Sequence, residues 1–127
     1  MDISKTYKAA AQKECQNLIQ NQTGIIAAVI ASEDGFDVAS TVTKNANAEK
    51  IAAMASSIAA IGSVVSSEIS TGESESITIK TKDGFAYITY LEFGSLKFIL
   101  NVVADSSAIL AQVIYQCSEI RKRLSRL

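Results

Sequence analysis

Two stretches of the chain are almost unbroken apolar runs: residues 25–32, Ile-Ile-Ala-Ala-Val-Ile-Ala-Ser, and residues 96–104, Leu-Lys-Phe-Ile-Leu-Asn-Val-Val-Ala. A strand with one wet face alternates; a continuous run needs cover on both faces. Both segments are therefore predicted as central strands. Residues 77–82 alternate, with Ile77, Ile79 and Thr81 on one face and Thr78, Lys80 and Lys82 on the other, as a half-exposed strand should. Residues 36–41 carry Asp37 and read as a second edge strand, and residues 85–91 complete the set. Asp34-Gly35 and Asp83-Gly84 are hairpin turns, because these residue types tolerate positive φ. Phe93-Gly94-Ser95 makes another tight connection.

The remaining segments follow a helical period. Ser4 caps a first helix running to about residue 20, with Tyr7, Ala11, Cys15, Leu18 and Ile19 on one stripe, and Thr23-Gly24 breaks it. A polar loop, residues 43–47, leads to Asn47 as the N-cap of a long helix, with Glu49 in the first turn where a negative charge is favoured. That helix runs to about Ile69, and Thr71-Gly72 ends it. Its stripe of Ile51, Met54, Ile58, Ile61, Val65 and Ile69 is expected to face the sheet. Asp105 or Ser106 is expected to cap a last helix, buried through Ile109, Val113, Ile114, Cys117, Ile120 and Leu124. Arg121, Lys122, Arg123 and Arg126 gather near its end, where the macrodipole favours cations.

This order, αββαβββα, predicts an α+β fold in one domain spanning residues 1–127. Hairpins keep sequential strands adjacent. Placing the last strand beside the first puts both apolar runs at the centre and gives a five-stranded antiparallel sheet in the order 2-1-5-4-3. Such a sheet is roughly 24 Å wide at a strand spacing of about 4.8 Å. A helix covers about 10 Å. The two terminal helices cover one face. The middle helix alone covers about half of the other, a deficit that a second copy of the chain would help repair.

The middle helix itself supports that expectation. No charge occurs from residue 51 to residue 67, on the order of four turns. A helix with its back in water should carry Lys or Glu there. Instead the back is Ala53, Ser56, Ser57, Ala60, Ser63, Val64 and Ser67. Small residues let another helix approach closely, although an exposed Ala/Ser-rich helix of good propensity is the plain alternative. The edge strand offers a second surface through Ile77, Thr78, Ile79 and Lys80. Its free backbone groups can pair with a copy of themselves across a two-fold axis, while Lys80 and Lys82 are residues that blunt an edge.

Composition narrows the chemistry. Net charge is −1, so nothing draws the chain electrostatically to nucleic acid. Histidine is absent, which removes the commonest general base, a frequent metal ligand and the usual pH switch together. Cys15 and Cys117 are far apart, form no zinc spacing, and each sits in a helical apolar pattern, so buried reduced thiols are expected, with a disulfide between them as the other possibility. Residues 1–11 hold no apolar core of secretion-signal length, and residues 51–67 contain five serines and a glycine, too short and too polar for a membrane span. A cytoplasmic protein follows as the default.

No phosphate-cradling loop is present: Gly62-Ser63 and Gly94-Ser95 lack the lysine and spacing. Asp34 and Asp83 are explained as turn residues and Asp105 as a cap or turn. Lys97, in an otherwise apolar strand, is expected to snorkel past a covering helix. The basic C-terminal cluster is read as a solvated helix end. Tyr87 and Tyr90 point to opposite faces and make no stacking platform. No catalytic residue, cofactor or metal site is assigned, and an enzyme is not expected.

The run 24–32, the turn at Asp34-Gly35, the return through Val38-Ala39-Ser40, the Ala-rich middle helix from Glu49, the ladder 77–91 and the passage Leu100-Asn-Val-Val-Ala-Asp105 together resemble the roadblock/LC7 family. The likeness covers about residues 7–124, and it lies in the order and spacing of motifs that are individually weak. Longin and profilin-like folds share much of this layout. The resemblance implies homodimers or heterodimers joined at the third strand, with the middle helices brought together. It also implies binding of small Ras-like GTPases, often on the surface that includes those helices, with some members regulating nucleotide hydrolysis or exchange and others acting as scaffolds or motor light chains. No shared catalytic residue is carried over. The expected function is a dimeric module that regulates or scaffolds a small Ras-like GTPase. A small-molecule sensor, with its ligand between the sheet and the middle helix, is the alternative.

Overall fold

β1 (Ile25–Ser32) and β5 (Leu96–Asp105) lie side by side and antiparallel, with Val29 opposite Asn101 and Ile30 opposite Leu100. These are the two apolar runs, and they are central because each is covered on both faces. The structure is a computed structural model that describes residues 3–43 and 46–127. Met1, Asp2 and two residues of the polar loop, Lys44 and Asn45, lie outside the described residues.

The other elements are α1 (Lys5–Asn21), β2 (Asp37–Val42), α2 (Ala48–Ile69), β3 (Ser76–Thr81), β4 (Gly84–Phe93) and α3 (Leu110–Ser125). The sheet has five strands in the order β2-β1-β5-β4-β3, as the pattern of apolar runs predicts. All neighbouring pairs are antiparallel.

α1 and α3 cover one face. Tyr7, Ala11, Cys15 and Leu18 of α1 meet Val113, Cys117, Ile120 and Leu124 of α3 over Ile30, Phe98, Leu100 and Val102. The Tyr7 ring stacks on both Phe93 and Phe98 at 4.8 Å. Glu14 and Arg123 tie the two helices together through a two-pronged ion pair, with Nε to Oε2 at 2.7 Å and Nη2 to Oε1 at 3.0 Å. That hydrogen bond raises the Arg123 pKa above its ordinary value.

Several expectations for α3 need correction. Ile109 and Ile114 are both exposed, and neither belongs to the buried stripe. The helix starts only at Leu110, after Ile109, which has no side-chain cap. Asp105 instead closes a turn, accepting hydrogen bonds from the backbone N–H and hydroxyl of Ser107. Nor is the basic end simply solvated. Arg121 reaches across to β4, donating from Nε to the Tyr90 carbonyl at 3.0 Å and from Nη2 to Thr89 Oγ1. Lys122 pairs with Glu119 at 3.2 Å. Lys97 is exposed at the β4–β5 hairpin, opposite Glu92.

The two edges of the sheet differ. At β2 the Gln12 carboxamide of α1 sits beside Ser40. Its Oε1 accepts from the Ser40 N–H at 3.1 Å, and its Nε2 donates to the Ser40 carbonyl at 2.6 Å. At β3 only Ile77 is even half-buried, and among the described residues no side chain bonds to the backbone of Ser76 through Lys80.

A candidate interaction surface on α2 and β3

α2 touches the sheet with its smallest residues. Ala52, Ala55 and Ala59, spaced three and four apart, are buried with Ile51. Ala55 and Ala59 sit on Ile88 and Ile99, while Ile51 and Ala52 sit on Ala27, Val29 and Ala31. This overturns the expected stripe: of Ile51, Met54, Ile58, Ile61, Val65 and Ile69, only Ile51 is buried, and Ile58 is partly so. Alanine side chains let the helix lie flush on the sheet, and that rotation turns Met54, Ile61 (63 % exposed), Val64 (64 %), Val65 and Ile69 to the outside.

Of the residues proposed for an interface, Ala53, Ser57, Ala60, Ser63, Val64 and Ser67 are exposed. Thr78, Ile79 and Lys80 on β3 are exposed too, and Ile77 is half-buried. Ser56 is partly committed elsewhere, donating to the Glu33 carbonyl at 2.6 Å. The hairpin holding Glu33 packs close on α2: a Cβ at Gly35 would lie 3.3 Å from Ser56 Cβ and 3.4 Å from Ala53 Cα. Phe36 then projects beside this contact, 71 % exposed. Sequence reasoning missed Met54, Ile61, Val65, Ile69 and Phe36 as surface residues. The available signal was the second stripe of Ala52, Ala55 and Ala59, which fits the helical period as well as the larger residues do.

The sheet beside α2 is also incompletely covered. Ile79, Ala86 and Val103 lie opposite one another across β3, β4 and β5, with Ala86 and Val103 half-buried and Ile79 exposed. The C-terminal half of α2 reaches β3 through Gly62, whose Cα faces Ile77 and Ser74. The start of β3 is tied down by Thr89, whose hydroxyl donates to the Glu75 carbonyl at 3.0 Å while accepting from Arg121. The surface is therefore a helix flank, an apolar row of sheet and a strand edge left open among the described residues, with no charge from Ile51 to Ser67.

Under α2, Ala27, Val29, Ala31, Ile88 and Ile99 of the sheet are buried against the helix. Asn101 is buried there between the two alanine contacts, its Oδ1 without a hydrogen bond. A groove of about 410 Å³ lies elsewhere, between α1 and α3, lined by polar residues including Lys13, Glu14, Asn17, Asn21 and Arg123. Cys15 and Cys117 are free and buried, as expected. Burial pushes each thiol up to about 12. Tyr7, whose hydroxyl is also buried without a hydrogen bond, is pushed up to about 12 by the same desolvation. α2, with 22 residues, is long and apolar enough by composition for a membrane span. Residues 51–67 taken alone understate that length and apolarity, although one face of the helix is seated on the sheet.

The model of the Roadblock/LC7 domain family matches residues 11–104, from the middle of α1 through β5. The chain belongs to this family. This Roadblock/LC7 domain superposes on a Roadblock/LC7 domain from Streptomyces avermitilis with a TM-score of 0.78 and 20 % identity, covering 89 % of this chain and 92 % of that one. MglB of Myxococcus xanthus gives 0.83 at 16 % identity, covering 99 % and 92 %. The gliding protein mglB of Thermus thermophilus gives 0.82 at 16 % identity, covering 98 % and 92 %. At these identities the likeness is one of fold. No curated protein matches this Roadblock/LC7 domain.

Proposed function

We infer that this Roadblock/LC7 domain is a homodimeric protein-interaction module that regulates or scaffolds a small Ras-like GTPase in the cytoplasm, with no catalytic residue of its own. The observation that carries this reading is the outer face of α2: Met54, Ile61, Val64, Val65 and Ile69 are exposed on a helix uncharged from Ile51 to Ser67. Burying one such side chain is worth about 1.5–3 kcal/mol. A contiguous patch of them on a soluble domain marks a binding surface.

Two surfaces of this kind are needed, one for each function. The open edge of β3 suits pairing with its own copy, because antiparallel self-pairing places identical residues about a two-fold axis. Such a pair extends the sheet and brings two α2 helices to one side of it. Family membership supports the GTPase as the protein received on that combined helix surface.

The test is solution mass by light scattering over a range of concentrations, together with Ala60→Glu. The wild type is expected at twice the chain mass. Ala60→Glu places a charge on the outer face of α2 and is expected to weaken self-association or GTPase binding while leaving the circular dichroism unchanged. Binding to a small Ras-like GTPase, and that GTPase's rate of GTP hydrolysis with and without the protein, test the second half. A protein that stays monomeric at every concentration removes the homodimer.

A further inference from the structure

A sheet that grows by edge pairing has two edges, and a chain with both edges open forms ribbons rather than closed pairs. In this protein one edge is occupied from within. Gln12 on α1 presents its carboxamide to Ser40 at the outer side of β2 and makes the two hydrogen bonds that one residue of a neighbouring antiparallel strand would make: an acceptor for the N–H at 3.1 Å and a donor to the carbonyl at 2.6 Å. Nε2 also lies 3.2 Å from Thr41 Oγ1. β2 is further disturbed by the register shift opposite Ile30 and Ala31, which interrupts its ladder with β1. Nothing comparable closes β3 among the described residues.

We propose that Gln12 is the residue that confines self-pairing to β3: it occupies the middle of the β2 edge as a one-residue imitation of a strand, so that copies joining edge to edge close as a pair. This rests on the reading that copies pair through β3. A glutamine does this where a hydrophobic residue cannot, because its amide carries a donor and an acceptor side by side. Held on a helix packed into the core through Ala11 and Cys15, it is fixed in place against the strand.

The experiment compares wild type, Gln12→Ala, Gln12→Met and Gln12→Glu by sedimentation velocity over a concentration series, with hydrogen exchange at Ser40. Gln12→Met keeps the bulk without the hydrogen bonds and replaces Gln12→Ala if the alanine variant does not fold. In both, Ser40 is expected to exchange about tenfold faster or more, one hydrogen bond being worth roughly 1.4 kcal/mol or a factor of ten, and mass is expected to rise beyond two chains with concentration. Gln12→Glu lends the edge a charge, which discourages an incoming strand, and is expected to stay at the wild-type mass. Folded Ala and Met variants with fast Ser40 exchange but wild-type mass overturn the proposal. A monomeric wild type removes pairing through β3 instead; Gln12 is then judged alone, supported if the Ala or Met variant associates and overturned if it stays single.

Discussion

Gly62 of α2 and Ile77 of β3 approach so closely that a Cβ on residue 62 would lie 2.6 Å from Ile77 Cδ1 and 3.3 Å from Cγ1. This contact joins the two halves of the proposed surface. Gly62→Ala sets two effects against each other. Removing a helical glycine gains about 1 kcal/mol, while turning Ile77 aside costs about 0.5–1.5 kcal/mol. Because Cδ1 is the far end of a flexible side chain, the two nearly cancel, and stability measured by urea unfolding is expected to stay within about 1 kcal/mol of wild type. Gly62→Leu has no such escape and lifts α2 from β3. For the proposed dimer, the dissociation constant is expected to rise by roughly tenfold or more, a cost of about 1.4 kcal/mol. A Leu variant that dimerises like wild type would disconnect the helix from the edge strand.

The two faces of α2 should respond oppositely to substitution. Ala55 is fully buried against Ile88 and Ile99, and Ala55→Leu is expected to cost about 1–3 kcal/mol by overpacking. Ile61 is largely exposed, so Ile61→Ala should change the stability of the dissociated chain by no more than about 0.5 kcal/mol. The same change should weaken self-association or GTPase binding. Urea midpoints at low and high protein concentration separate the outcomes. A large loss for Ile61→Ala in the monomer would mean that this side chain is buried after all.

Cys15 and Cys117 predict a loss of stability in alkali. Burial is the main cause of both raised pKa values; Asp37, Glu14 and Cys117 add to it at Cys15, and Arg121 opposes it at Cys117. A thiol in the unfolded chain ionises near its ordinary value of 9.0, and in the folded chain near 12. Between those values the unfolded chain has lost protons that the folded chain retains. The contribution is therefore complete below about pH 9 and is lost as pH rises toward 12, with a slope of about 1.4 kcal/mol per pH unit for each thiol. Tyr7 acts in the same direction above its ordinary value of 10.0. Urea unfolding from pH 7 to 11 measures the slope, and the double change of Cys15 and Cys117 to alanine should flatten it. A thiol-specific colour reagent at pH 8 is expected to react only as fast as the protein opens.

Much of the fold was legible because the signals were local. The runs at 25–32 and 96–104 identified the central strands, and the Asp-Gly turns placed the hairpins. Strand order followed from which segments could tolerate water. The candidate site was legible only in part. Ala53, Ser57, Ala60, Ser63, Val64 and Ser67 do face outward. Met54, Ile61, Val65 and Ile69 were assigned to the core because hydrophobicity ranks them above alanine, yet the sheet accepted the alanines. Phe36 was expected at the start of a strand, but β2 begins at Asp37 and leaves the ring in solvent.

The sequence alone determined the number of elements, their order, the uncharged length of α2 and the absence of histidine chemistry, since each is a property of contiguous residues. Only the tertiary structure decided the rotation of α2, which depends on how closely one helix can approach one particular sheet. It also decided which edge is closed. Gln12 is one of several polar residues on α1, and nothing near it in the chain distinguishes it. Its amide becomes a strand substitute only because packing brings it to Ser40, twenty-eight positions away. Arg121 meets Thr89 and Tyr90 for the same reason, across thirty-two and thirty-one positions. A hydrogen bond acts over about 3 Å, and the pairing of groups so distant in the chain is set by the packed fold that carries them there.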